Sequence, residues 1–402
     1  METAAVNWHD YDAITSDVGD CFYVFDRSTL RRDIDDIAGS LTGILPNARL
    51  HYAYKANFAP DVCRTFADAG WGAEVDSPML LWLAQRIGVP ASQITYNGIA
   101  RDPASVREAL LAGVLVCLDA HRDIDVALQT AREAPGSVLH VAIRINSATD
   151  IDPAPRLGRT LDQVRDAVTA LAGQPGIDLQ GLSVHRPDRS PEGVRGRMRD
   201  LITVASDVFP DGPRLLDVGG ALAARGVPNG PAHAASAAVI RDALETVPWG
   251  SNVTLLTETG AAAVADCMEF VARVVDIKQQ SGRTVINVAG SLFHTSPNTR
   301  RVDFPVRVVA SAQHGHVDGM RLVGGCTAVD GDWLSVDMPD DTEVCEGDFL
   351  VFGGVGAYSL SMGTHFTDPL PAVVERAGRG WNVVRRRPTF AETLAGFDLG
   401  PV

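Results

Sequence analysis

From about residue 28 to 260 the chain alternates short β-rich segments with amphipathic helical stretches at intervals that suit βα units. Parallel strands need a crossover between them, and a crossover helix covers a sheet face, so this alternation leaves few folds open. Eight segments read as strands: Leu50–Tyr54, Ala73–Asp76, Ile94–Asn97, Leu115–Leu118, Leu139–Ile145, Leu179–His185, Leu215–Val218 and Val253–Thr257. The stretches between them, such as Asp102–Ala112, Leu161–Ala172 and Ala232–Thr246, carry apolar residues at helical spacing behind Asp, Pro or Thr start signals. Eight such strands predict a (β/α)8 barrel, although a doubly wound open sheet would use most of the same segments.

After Ala265 the texture changes. Phe270–Lys278, Thr284–Val288, Val302–Ser311, Arg321–Val323 and Asp348–Phe352 read as strands with turn signals and little helix between them, so a mainly β second domain is expected. Cys21-Phe22-Tyr23-Val24-Phe25-Asp26 is left over from the eightfold count and is expected to join that domain. The division read from the sequence is a barrel over 28–265 and a β domain made of 1–27 and 266–402. At 402 residues the chain is long for one core, which agrees with two.

A net charge of −15 would repel phosphate backbones and anionic lipid surfaces, so nucleic acid and membranes are poor partners and a small-molecule substrate is favoured. The first ten residues lack a basic stretch followed by an apolar one, and no apolar run reaches membrane-spanning length. A cytoplasmic enzyme is expected. Six cysteines, at 21, 63, 117, 267, 326 and 345, form no CxxC pair and no cluster with histidine, so neither a disulfide framework nor a metal site is indicated.

In a barrel, chemistry gathers at the carboxyl ends of the strands. The first predicted strand delivers Lys55 at its end, where an ammonium is costly to bury unless paired, neutralised or covalently engaged. A Schiff base with an aldehyde cofactor meets that need; a lysine snorkelling into a loop is the plain alternative. His185 ends the sixth strand, Asp217-Val218-Gly219-Gly220 the seventh, and Glu258-Thr259-Gly260 the eighth. Glycine turns after strands seven and eight suit phosphate binding by backbone N–H groups, or are merely tight turns. Glu258 beside a cofactor pyridine would keep the ring nitrogen protonated, and His185 would stack on the ring; otherwise they are a capping carboxylate and a core histidine.

Taken in order, these blocks resemble the fold type III pyridoxal-phosphate enzymes, and within them the ornithine/diaminopimelate/arginine decarboxylase group, closest to the diaminopimelate branch. The residues that carry the resemblance are Tyr52-Ala53-Tyr54-Lys55-Ala56-Asn57, Gly72-Ala73-Glu74-Val75-Asp76-Ser77, Tyr96-Asn97-Gly98, Arg144-Ile145-Asn146, Leu216-Asp217-Val218-Gly219-Gly220, Gly325-Cys326 through Asp330, and Gly356-Ala357-Tyr358. The resemblance implies pyridoxal 5'-phosphate on Lys55, decarboxylation of an amino acid, and a homodimer with shared sites. Cys326 and a neighbouring aspartate, Asp330 or Asp332, would reach into the partner's site, and Tyr358 would lie near the phosphate. Cys326 is the expected proton donor, with Lys55 second. Racemisation on the same scaffold and non-catalytic cofactor binding are the competing readings.

The chain also departs from that pattern. The small-residue loop usual after the sixth strand is replaced by His185-Arg186-Pro187-Asp188-Arg189-Ser190, and the family's Glu-Pro-Gly-Arg becomes Glu258-Thr259-Gly260-Ala261. The phosphate thereby loses an arginine, for which Arg186 or Arg189 is a candidate replacement. Around the substrate's far end the family's arginine and Glu-Ser pattern is missing. His294, Arg300 and Arg301 are the candidate contacts, unless that loop is simply solvated.

Overall fold

The computed structural model describes residues 6–146, 156–220, 233–295, 304–311, 321–336, 338, 344–378, 380–398 and 400. The chain divides into two compact units, one of Arg31–Ala263 and one of Met1–Leu30 with Val264–Val402.

After β1 (Cys21–Phe25) come the eight strands of the first unit. They are β2 (Ala48–Ala53), β3 (Gly72–Val75), β4 (Ile94–Tyr96), β5 (Leu115–Leu118), β6 (Leu139–Arg144), β7 (Ile177–Ser183), β8 (Leu215–Asp217) and β9 (Thr254–Thr259). All pair in parallel with their sequence neighbours, and β9 returns to β2 with Tyr52 opposite Thr259, closing the barrel. The open-sheet alternative is thus excluded. β3, β4, β5 and β8 are buried along their whole length, the near-continuous apolar texture expected when helices cover the outside. Helices start where the sequence signals them: Asp102 caps Pro103–Leu111, Thr160 and Gln163 form a capping box for Leu161–Leu171, and Ser190 caps Pro191–Val208.

The second unit is a nine-stranded sheet. Its strands besides β1 are β10 (Met268–Gln280), β11 (Arg283–Val288), β12 (Val306–Val309), β13 (Arg321–Gly324), β14 (Trp333–Ser335), β15 (Phe349–Phe352), β16 (Ala372–Ala377) and β17 (Gly380–Arg385). β1 lies between β10 and β16, so the leftover N-terminal segment is a central strand of this sheet. A helix over Trp8–Val18, which the sequence reading did not single out, packs Tyr11, Ile14 and Val18 onto Phe22, Val271 and Phe349. β14, β16 and β17 were also not anticipated. Among the described residues no helix is long and apolar enough to cross a membrane.

Candidate active site

Lys55 is not the last residue of a strand. β2 stops at Ala53, and Lys55 is the middle residue of a one-turn 3-10 helix, Tyr54–Ala56. Its neighbours anchor that turn. The Tyr52 ring stacks on Phe66 at 3.8 Å, the Tyr52 hydroxyl donates to the Asn57 carbonyl at 2.8 Å, and Tyr54 and Ala56 are buried. Lysine is therefore the one side chain of the turn that turns outward.

Its ammonium donates to Glu74 Oε2 at 2.7 Å and stands 3.7 Å from Asp76 Oδ2. Glu74 lies on β3 opposite Ala53 in the β2 register, which is why the two meet. Desolvation works against the Lys55 charge, but Glu74, Glu258 and Asp76 outweigh it and raise the ammonium above its ordinary range. Burial likewise opposes ionisation of Glu74, yet Lys55 and hydrogen bonds from Lys55 and Asn97 keep it below the usual carboxylate range.

Asn97, immediately after β4, joins two carboxylates: its amide donates to Glu74 Oε1 at 3.0 Å and to Glu258 Oε1 at 2.6 Å. Glu258 on β9 is 4% exposed and hydrogen-bonded to Asp217. Burial, then Asp217 and Glu74, push its carboxyl well above the ordinary value. Glu258 therefore gives up its proton less readily than an isolated acid would. Asp217 is fixed further by Ser183, whose hydroxyl donates to Oδ2 at 2.9 Å.

His185 follows β7 and accepts the Gly220 N–H at Nδ1, 3.3 Å away, with Glu258 Oε2 at 3.9 Å. An Nδ1 that accepts leaves the ring proton on Nε2. Burial, Lys55 and Arg144 lower the imidazole to about 4, so it is neutral at physiological pH. The turn after β8 needs glycine. Gly219 has φ +66°, and a Cβ there would stand 2.5 Å from the Val184 carbonyl oxygen. Gly260 passes close to Ala53 and Ala56, beside the lysine turn.

Lys55, Glu74, Asn97, Ser183, His185 and Glu258 all line one cavity of about 220 Å³, with Asp76, Arg144 and Arg156 also on its wall. This set fits pyridoxal phosphate: a lysine for the aldehyde, a neutral imidazole face, a glycine turn, and a buried acid cluster whose surplus negative charge suits a cationic ring nitrogen. Of the residues expected from the sequence, Lys55, His185 and Glu258 line this cavity, while Gly219 and Gly220 adjoin His185 and Gly260 adjoins the lysine turn. Glu74, Asn97, Ser183 and Asp217 carry contacts that the sequence reading did not assign. Their signal was there in kind, since each is a polar residue at the carboxyl end of a barrel strand.

The remaining candidates, apart from Arg186 and Arg189, belong to the β unit. Cys326 is exposed, and its N–H donates to the Gly290 carbonyl at 2.8 Å. Desolvation, then Asp332 and Asp368, raise its thiol above the ordinary value. The two aspartates of its loop differ sharply. Asp332 is 5% exposed and accepts from Ser291 Oγ, Leu292 N–H, Thr327 N–H and Thr327 Oγ1, which pins the loop, whereas Asp330 faces solvent. His294 is not in a solvated loop: it is buried against Phe270, and its carbonyl accepts from the Tyr23 hydroxyl at 2.6 Å. Tyr358 has a left-handed backbone, φ +61°, a strain that side chains adopt where their position is over-determined. Arg300 and Arg301 lie outside the described residues. Arg186 does not present a free charge to the cavity, because its guanidinium is paired with Asp200 at 2.7 Å, and Arg189 is exposed.

Residues 31–265 match the family model for the pyridoxal-binding domain of pyridoxal-dependent decarboxylases. A diaminopimelate decarboxylase of Aquifex aeolicus is 23% identical over 365 residues, covering 86% of this chain and 84% of its own. One from Actinosynnema pretiosum is 28% identical over 398 residues, covering 90% and 85%. The crystal structure of the M. jannaschii diaminopimelate decarboxylase with L-lysine superimposes with a TM-score of 0.86 at 18% identity, over 97% of this chain and 94% of the other. A Vibrio vulnificus lysine/ornithine decarboxylase with putrescine gives 0.77 at 18% identity, over 92% and 98%. These two structures share the barrel-plus-β fold.

Proposed function

Because the chain belongs to the pyridoxal-dependent decarboxylases and is an amino-acid decarboxylase that uses pyridoxal 5'-phosphate, we propose that Lys55 is the covalent anchor of the cofactor and that the cavity around it is the catalytic site. The observation that carries this is the convergence of Lys55, Glu74, His185 and Glu258 on one cavity, delivered by the chain at or just after β2, β3, β7 and β9. When bound, the cofactor supplies an electron sink for the pair left behind by the departing carboxylate. Glu258, hydrogen-bonded to Asp217, would hold the ring nitrogen protonated. His185, neutral and fixed by Gly220, would cover one face of the ring. The Gly219–Gly220 turn would lie toward the phosphate.

Lys55 would hold the cofactor's aldehyde, and Glu74, 2.7 Å from its nitrogen, offsets the positive charge whenever that nitrogen is an ammonium. Cys326, whose raised thiol stays protonated at neutral pH, returns a proton to the substrate's α-carbon. We assign Cys326 and Asp330 to the partner's site in a homodimer, with Asp332 as the buried brace that shapes their loop. The relatives are diaminopimelate decarboxylases, and the substrate we propose is an amino acid with a second polar end, such as diaminopimelate or ornithine or an analogue of them. Arg156 and Asp76 stand on the cavity wall as candidate readers of that end, besides His294, Arg300 and Arg301.

The test is a panel of L- and D-amino acids, including diaminopimelate, ornithine, lysine and arginine, incubated with the pyridoxal-phosphate-loaded protein while carbon dioxide and products are followed by mass spectrometry. Carbon dioxide from one of the dibasic substrates is expected. Lys55→Ala is expected to lose both the visible cofactor band and turnover; a variant that keeps both overturns the assignment.

A further inference from the structure

Charge is unevenly disposed around the cavity. Glu74 and Asp76 gather at Lys55, and Asn97 ties Glu74 to Glu258. These residues come from the ends of β2, β3, β4 and β9, which are neighbours in the barrel. β6 stands fourth from β2 in the closed order, on the far side. Its last residue, Arg144, also lines the cavity. The Arg144 side chain is 11% exposed, and its N–H donors make no hydrogen bond among the described residues; Asp119 Oδ2 is 3.9 Å from Nε, and that oxygen is itself buried without a hydrogen-bond partner. Asp119 thus offsets the charge of Arg144 without occupying its donors, an exception to the rule that buried polar groups are paired.

The chain that follows brings a second arginine to the same wall. The Gly158 N–H donates to Asp119 Oδ1 at 3.0 Å, Arg159 Nη1 to the Asp119 carbonyl at 2.9 Å, and the Arg159 N–H to the Arg144 carbonyl at 2.9 Å. Gly158 permits this approach: its φ is +84°, and a Cβ there would stand 2.3 Å from the Ile145 carbonyl oxygen. The run Arg156-Leu157-Gly158 is thereby pinned against the end of β6, and Arg156 and Leu157 line the cavity there. Arg156 is exposed and has no ion pair among the described residues.

Two arginines on one wall, across from the acids around Lys55, suit an oxyanion. The chemistry of decarboxylation selects which one. A carboxylate clamped by guanidinium groups is stabilised as an anion, and its charge leaves it as carbon dioxide departs, so the clamp opposes loss of the carboxylate it holds. It suits a carboxylate that is kept. We infer that Arg144 and Arg156 are specificity-determining residues that bind a second, retained carboxylate at the far end of the substrate. The substrate class is then an amino acid with a carboxylate at each end, not one whose far end is an amine alone. This rests on the proposed use of the cavity, with Lys55 as the cofactor anchor.

Diaminopimelate and lysine differ by that one carboxylate, and both are mixed in a stopped-flow instrument with full-length protein loaded with pyridoxal 5'-phosphate. The immediate shift of the visible band, before turnover, gives the affinity of each. Wild type is expected to prefer diaminopimelate by about tenfold or more, and Arg144→Gln to lower that preference about 10- to 100-fold, the loss of charge-assisted hydrogen bonds. Arg156→Gln is expected to lower it by about 3- to 10-fold, since the residue is exposed. Cofactor-free protein is titrated in parallel with pyridoxal 5'-phosphate and with pyridoxal, and the ratio of those affinities is expected to stay unchanged in both variants. A wild type that binds lysine as tightly as diaminopimelate overturns the inference, as does a preference that neither variant moves. An equal loss for both amino acids makes the arginines general braces, and a fall in the ratio for the two aldehydes gives them to the phosphate; each overturns it too. Should Arg144→Gln fail to fold, an unmoved preference in Arg156→Gln is decisive against it. If wild-type protein forms no visible band with either aldehyde, the Lys55 assignment falls; if the band forms and the preference ignores both arginines, only this inference falls.

Discussion

Replacing Glu74 by glutamine should make the apo-protein take up its cofactor faster. The carboxylate is 2.7 Å from the Lys55 ammonium and holds the proton on the nitrogen that must be neutral to attack an aldehyde. At that distance two unit charges attract by about 1.5 kcal/mol at the dielectric constant of water and about 6 kcal/mol at an effective constant near 20. The Lys55 side chain is 36% exposed, so solvent screening places the effect toward the lower figure. We take ~2–3 kcal/mol, or about two pK units. The sign is fixed: an adjacent anion raises a lysine, so its removal lowers it. Glutamine keeps an oxygen for the Asn97 amide, and the site's shape is preserved. The assay is stopped-flow growth of the visible cofactor band after mixing with pyridoxal phosphate at a series of pH values. In the wild type the rate should climb about tenfold per pH unit through the alkaline range, since the lysine stays protonated there. In Glu74→Gln it should be about 100-fold higher near pH 8 and should level off about two units earlier. Asp76→Asn, at 3.7 Å and half-buried, should give the same change at smaller size. Superimposable pH profiles for wild type and Glu74→Gln would refute the claim that this ion pair governs the nucleophile.

Three further outcomes are expected. Mixing Lys55→Ala subunits with Cys326→Ala subunits should restore about a quarter of wild-type turnover, because random pairing gives half mixed dimers and each has one intact site; no recovery after confirmed exchange removes the shared-site dimer. Asp332→Ala should lower stability by about 3 kcal/mol, as a buried acceptor leaves its Ser291, Leu292 and Thr327 donors without it, and thermal or denaturant melting reads the loss. His51 is buried, and burial with Arg49 holds its imidazole at about 4 against an ordinary 6.5. Its contribution is complete above 6.5 and disappears as pH falls through 4, at most ~3 kcal/mol, so urea midpoints measured from pH 7 down to 4.5 should fall less steeply in His51→Gln.

The barrel was legible because its strands are buried on both faces and read as short apolar runs, each stopped by polar residues that define the mouth. Observed strand ends differ from the expected ones by one or two positions, and Lys55 moved from a strand into a 3-10 turn, because hydrogen-bond pairing stops before the apolar texture does. β14 has three residues with Trp333 exposed, and β17 alternates no apolar face, so neither carries the period-two signal that marked β10 and β11. The helix Trp8–Val18 escaped notice although Asn7 and Asp10 form its capping box, since its apolar stripe is short. For the site, the end residues were readable one by one, whereas the bonds that define it were not. Asn97 joins Glu74 to Glu258 only because β9 returns to β2, and nothing local to Asn97 encodes that closure.

The same point separates neighbours along the chain from neighbours in space. Arg186 and Arg189 were natural candidates because they flank His185, and chain proximity was the only available measure. In a barrel, however, the helix after β7 packs outside the strands and ends of β7 and β8 together, so its inner face lies behind the turn after β8. A residue such as Arg197, two turns into that helix, reaches the Val218 and Gly220 carbonyls while residues next to His185 are drawn along the helix by Asp200. Arg197 thereby ties the helix after β7 to the turn after β8, a contact that only the pairing of β7 with β8 creates.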